Sequence, residues 1–158
     1  MLKILHIAPQ NLAGVYYDYY KMHNQSGDFS RLITFHKTKF NYPEDICLNI
    51  PLPQNKFANY WRLKKVIEVE NSDQKTLKYF KPKNFLEKIY FEFRDWKRKP
   101  IFEEVIKEYK LNEFDIIHYD TGMDFYRDCS QAKKWKKEGK KIVCCYDGVD
   151  LRIRGIFK

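Results

Sequence analysis

Leu2-Lys3-Ile4-Leu5-His6-Ile7-Ala8 is a short, mostly apolar run, and what surrounds it decides the fold. A run of this length suits a strand buried on both faces. Pro9-Gln10-Asn11-Leu12-Ala13-Gly14 breaks it as a loop, and Val15 to His23, rich in tyrosine, reads as a helix. Ser30-Arg31-Leu32-Ile33-Thr34-Phe35-His36 is then a second strand. Strand, loop, helix, strand within the first 36 residues is a βαβ opening, which implies parallel pairing.

Outward from that opening the pattern continues. Ile46-Cys47-Leu48-Asn49-Ile50 reads as a weaker strand cut off by Pro51. Phe114 to Tyr119 is another strand, Met123 to Glu138 a helix ending at Gly139, and Lys140 to Tyr146 a further strand. The expected fold class is α/β, a Rossmann-like doubly wound and mainly parallel sheet. In such a sheet ligands bind beyond the carboxyl ends of the strands.

The middle of the chain differs. Between Lys56 and Lys110 there are 15 basic and 9 acidic residues, so +6 of the net +9 lies there. This stretch, about 56–110, reads as a basic helical insertion within a single 1–158 domain. Asn84 with Glu87 makes a capping-box start, and Phe85, Leu86, Ile89, Tyr90 and Phe93 follow at helical spacing. Pro100 suits the first position of a separate helix, with Ile101, Phe102, Val105, Ile106 and Tyr109 as its apolar face. Both stripes are expected to face a core.

At 158 residues and 44% hydrophobic, the chain can build a real core, which excludes a disordered tail. No stretch approaches the ~20 apolar residues of a membrane span, and the N-terminus lacks a signal-peptide pattern. The expected compartment is cytoplasmic. Cys47, Cys129, Cys144 and Cys145 include no C-x-x-C pair, and neighbours in a strand point to opposite faces, so they read as buried small hydrophobes. His6, His23, His36 and His118 show no ligand spacing, and no metal is expected.

Four loops should share one rim of a parallel sheet: Pro9 to Gly14, His36, Tyr119-Asp120-Thr121-Gly122, and Asp147-Gly148-Val149-Asp150. Gly14, before a helix N-terminus, allows an anion close to the backbone, although neither G-x-G-x-x-G nor a P-loop is present. Asp120, just past a strand end, suits a general base or an electrostatic partner. Asp150 could pair with Arg152 or cap a helix, and His118 reads as a core histidine. No nucleophile elbow and no Ser/His/Asp or Cys/His arrangement is visible, which disfavours covalent hydrolysis.

The segments KILHIAPQNLAGV (3–15), FDIIHYDTG (114–122) and KKIVCCYDGVDLR (140–152) together resemble the N-terminal half of GT-B glycosyltransferases, the retaining glycosyltransferase family 4 group in particular. The last segment matches that group's strand-end motif at Gly148, Asp150, Leu151 and Arg152. The resemblance implies an acceptor-side domain of a sugar-transferring enzyme, with a nucleotide sugar as donor substrate and a glycan or lipid-linked acceptor. It places Gly14 near the donor phosphates, with Asn11, Gly122, Gly148, Asp150 and Arg152 as further donor-phosphate or acceptor contacts. Asp120 takes the position of the group's frequent active-site histidine, and Asp147 replaces another. The C-terminal donor-binding domain that completes such enzymes lies outside the chain, so the chain alone is expected to be inactive and marginally stable. The resemblance also implies work at the inner face of a membrane, where Trp61-Arg62-Leu63-Lys64-Lys65 or Trp96-Lys97-Arg98-Lys99 could meet anionic lipid. Two other readings follow from the residues: a basic nucleic-acid-binding module, weakened by aromatics that sit on apolar helix faces, and a nonenzymatic sugar- or nucleotide-binding remnant.

Overall fold

A computed structural model describes residues 1–51, 56, 60, 82 and 84–146. Five strands, β1 (Lys3–Ala8), β2 (Phe29–Thr34), β3 (Ile46–Cys47), β4 (Ile116–Asp120) and β5 (Lys141–Cys145), form one sheet in the order β3-β2-β1-β4-β5. Every pairing is parallel. The described helices include α1 (Val15–Gln25), α2 (Phe85–Glu108) and α3 (Ser130–Lys137). This is the α/β, Rossmann-like, doubly wound arrangement expected from the alternating runs.

The two faces of the sheet follow from strand alternation. Leu5, Ile7, Ile33, Ile117 and Tyr119 join Phe102 and Val105 of α2, Phe125, and Trp135 of α3 in the main core. On the other face Ala8 and Leu32 pack against Tyr16, with Tyr17, Tyr19 and Tyr20 of α1 around them. The second face is the more polar one. It carries His6 and Ser30, both buried, together with His118 and Asp120, all from alternate strand positions.

The chain divides into two compact units, Met1–Pro51 with Arg98–Cys145, which holds the sheet, and Leu52–Lys97 with Tyr146–Lys158. The first takes α2 from Arg98 onward. Described residues of the second belong mostly to the preceding turns of α2.

Several local expectations are corrected. Pro100 does not start a helix; it lies inside α2, which runs unbroken from Phe85. Proline removes one intrahelical bond but keeps a helical φ, and Phe102 and Val105 anchor the turns after it in the core. The Asn84 cap stands, its Oδ1 accepting the Glu87 amide at 2.8 Å. The stripe Phe85, Leu86, Ile89, Tyr90 and Phe93, however, faces solvent.

The helix expected from Met123 begins only at Ser130. Asp124 is the cause: its Oδ1 accepts the Phe125 amide at 2.8 Å and its Oδ2 accepts Ala132 N–H at 3.0 Å. The carboxylate thus caps α3 from eight positions ahead and holds the intervening chain as a loop. β3 is two residues rather than five, although Leu48 and Ile50 still donate to Thr34 and Phe35 carbonyls. The cysteines are not buried hydrophobes: Cys144 is exposed, and Cys47, Cys129 and Cys145 are half-buried. β5 forms an edge of the sheet, which leaves the first of these uncovered. No described helix is long and apolar enough to cross a membrane.

Candidate functional site

The chain moves outward from β1 to β3 on one side, then returns to place β4 on the other side of β1. The loops after β1 and β4 therefore diverge at their carboxyl ends, the place where open parallel sheets usually bind ligands. Both loops make the same backbone move. After β1, Ala13 (φ 54°) and Gly14 (φ 77°) are left-handed in succession, and after β4, Thr121 (φ 54°) and Gly122 (φ 71°) repeat the pattern. The Met123 amide donates to Asp120 O at 2.9 Å, closing a turn of the I′ kind around Thr121 and Gly122. Ala13 and Thr121 hold this conformation without glycine's freedom, at a cost of about 1–2 kcal/mol each.

Gly14 caps α1, and its conformation rather than its space is what restricts it. A Cβ there would meet Tyr42 Cδ1 at 3.9 Å, an ordinary contact. Asn11 is fully buried, and both ends of its amide are engaged. Nδ2 donates to Pro43 O at 2.9 Å, while Oδ1 accepts the Tyr17 amide at 3.4 Å. Asn11 thus ties the loop to the first turn of α1 and to the segment before β3. The loop is fastened a third time where Pro9 O accepts the Phe35 and His36 amides, at 3.2 and 3.0 Å.

Asp120 ends β4 with its side chain nearly buried. Tyr16, in the first turn of α1, donates its hydroxyl to Asp120 Oδ1 at 2.9 Å. Burial first, then the neighbouring Asp120 charge, pushes the Tyr16 phenol far above its ordinary range, so it stays a donor. Thr121 N–H donates to Cys145 O at 2.7 Å, which sets the β4 loop against the end of β5. Gly14, Asp120 and Gly122 are therefore gathered around the β1/β4 ends, linked by Tyr16. Gly148, Asp150 and Arg152, with Asp147, lie outside the described residues.

Deeper on the same face, His6 and His118 are register partners, and their Nδ1 atoms approach to 2.9 Å. An N–H···N bond holds one proton between the two rings, and burial favours the neutral form of both imidazoles. His6 Nε2 is buried and lacks a hydrogen-bond partner. That favours His6 as the Nδ1 donor, since a bare lone pair costs less to bury than an orphaned N–H. Burial, then His118, then His23, lower the His6 pKa from 6.5 to about 3. Burial and His23 also lower that of His118. Tyr16 and Tyr19 pack tilted against His118, with ring centroids 5.5 and 5.6 Å away. His118 was expected in the core; it is half-buried, and its pairing with His6 was not foreseen.

Among the described residues no group of His, Cys, Asp or Glu is placed to hold a metal ion. An open depression of about 490 Å³ beside α3, lined in part by Asp128, Lys133 and Lys137, shares no residue with the β1/β4 rim. Comparison of the chain with protein-family models, with curated proteins and with solved structures returned no match.

Proposed function

We propose that this chain is the acceptor-side domain of a glycosyltransferase that moves a sugar from a nucleotide-sugar donor to a glycan or lipid-linked acceptor. One observation carries the reading: at the reversal point of an all-parallel sheet, the β1 loop ending in Gly14 meets Asp120, joined to it through the Tyr16 hydroxyl. Gly14 and the first turn of α1 present main chain to the donor diphosphate. Asp120 accepts the proton of the acceptor hydroxyl as its oxygen bonds to the anomeric carbon. The bond from that carbon to the diphosphate breaks, and the diphosphate leaves with the electron pair. Tyr16 keeps the Asp120 carboxylate oriented towards the rim. Asn11 acts one step back, by holding the loop that carries Gly14. In this reading the donor nucleotide is completed by a second domain.

The test is amide-resolved NMR of the chain titrated with uridine diphosphate and with uridine diphosphate sugars. The expected result is a weak, saturable perturbation concentrated at residues 11–14 and 120–122. Perturbation elsewhere, or none at millimolar ligand, overturns the assignment. A mobility-shift titration with single-stranded RNA at two salt concentrations separates the nucleic-acid reading, which requires salt-sensitive retention.

A further inference from the structure

His6 and His118 form a titratable pair that the chemistry at the rim does not use. With His6 donating from Nδ1 across 2.9 Å, the proton of His118 sits on its Nε2. Neither ring then takes a second proton in place. His6 has only Nε2 to offer, which is buried and without a partner. His118 has only Nδ1, where a new N–H would point straight at the N–H of His6. Proton uptake therefore requires the pair to part. His118 is the member free to turn, being half-buried where His6 is fully buried.

A turning His118 meets Asp120. The two stand two positions apart on β4, on one face of the sheet and about 7 Å apart along the strand. Asp120 Oδ1 is held by the Tyr16 hydroxyl at 2.9 Å, and the Tyr16 ring packs against His118. Around His118 the remaining described groups are Tyr19 and His23 from α1 and, on β5, Cys145 as register partner of Asp120.

We propose that His118 is a proton-operated switch on the Asp120 carboxylate. Neutral, it accepts the His6 N–H and leaves Asp120 to Tyr16. Protonated, it parts from His6, turns along β4 and pairs with Asp120 in place of the Tyr16 hydroxyl. Turning the imidazole displaces the Tyr16 ring packed against it, so the two partners of Asp120 exchange rather than add. The exchange leaves the His6 N–H without its acceptor and brings charge beneath α1. Those costs act in the direction in which burial, then His23, already hold His118, below the ordinary 6.5. An imidazolium beside Asp120 makes the carboxylate a weaker base. That this silences the rim in acid rests on the sugar-transfer reading; the exchange of partners rests on the geometry alone.

The experiment is an NMR titration of the full chain without substrate, from about pH 8 to about pH 4.5. It follows the His118 and Tyr16 ring signals and the amides of residues 120–122. His118 should take up its proton below 6.5 while the chain is folded, and the Tyr16 ring and those amides should shift with the same midpoint. His6→Val frees Nδ1 of His118 and should raise the midpoint towards 6.5. Tyr16→Phe keeps the ring but removes the competing hydroxyl, and should raise it too. Asp120→Asn removes the attracting charge and should lower it. Three results overturn the proposal: His118 staying neutral until the chain unfolds, His118 titrating while Tyr16 and residues 120–122 stay still, or a midpoint that does not rise in Tyr16→Phe. Each is read without nucleotide, so failure here is distinct from failure of the uridine diphosphate titration.

Discussion

Acid should unfold this protein through His6 before its carboxylates titrate. The His6 ring is fully buried, faced by His118 from β4 and by His23 and Tyr19 from α1. In the fold it takes up a proton only near pH 3, against an ordinary 6.5. Between those values the unfolded chain binds a proton that the folded chain excludes, so stability falls as pH falls. The slope approaches about 1.4 kcal/mol per pH unit from His6 alone once the pH is well below 6.5, and amounts to about 2 kcal/mol on going from about pH 6.5 to 4.5. That is a large share of the 5–15 kcal/mol typical of a domain, as an order of magnitude. His118 and His36 are also held low by burial and steepen the decline in the same direction. Urea midpoints measured at several pH values above about 4.5 isolate the histidines from most carboxylates. The paired measurement is His6→Val, which should flatten the slope by about 1.4 kcal/mol per pH unit. Parallel slopes in the two proteins, or a midpoint that does not move with pH, would refute the neutral-pair geometry.

Five further outcomes are expected. Gly14→Val should destabilise by about 1–2 kcal/mol, because a β-branched residue is forced to positive φ, and equilibrium urea unfolding measures it. Tyr16→Phe should cost about 1–2 kcal/mol in the same assay, and under the proposed sugar-transfer reading Asp120→Asn should lower kcat far more than it lowers the melting temperature. Asp124→Ala strips the cap from α3 and leaves the Tyr119 hydroxyl, which donates to Asp124 at 3.1 Å, without its acceptor; a loss of about 2–4 kcal/mol should appear in thermal melts. Under the proposed sugar-transfer reading, the chain incubated with a panel of nucleotide sugars and acceptor should release no nucleoside diphosphate, since that reading leaves the donor site to be completed by a second domain. Acceptor-dependent release would show the chain to be sufficient by itself.

The strands were legible because each is a short apolar run bounded by turn residues, and a buried parallel strand needs nothing else to declare itself. The rim placement of Gly14 and Asp120 was legible for the same reason, since the strand ends of a parallel sheet share one rim. Helix 123–138 was misread because periodicity over Phe125, Ala132 and Trp135 cannot reveal that Asp124 reaches Ala132 N–H and holds the chain open. Cys144 and Cys145 were misplaced because β5 is an edge, and edge position is a property of strand order. The stripe from Phe85 to Trp96 was recognised as a face, but a period reports only that one side is apolar, not which side the rest of the chain covers. The Tyr16–Asp120 bond and the His6–His118 pair were invisible for a simpler reason. Each joins residues more than a hundred positions apart, and only strand register brings them into contact.

That separation has a consequence for how the protein is made. β1 is the middle strand of the sheet, yet one of its two neighbours, β4, lies 112 residues downstream at the His6–His118 contact. At synthesis rates of about 5–20 residues per second, the first strand to leave the ribosome waits roughly 6–20 s for its second partner. Until then β1, α1 and β2 form a half-built sheet with one edge of β1 open and His6 accessible to protons and water. The histidine pair that makes the finished fold acid-sensitive is thus also among the last contacts to close. Its formation moves the open edge from β1, the middle strand, to β4, where it stays until β5 arrives to pair with it.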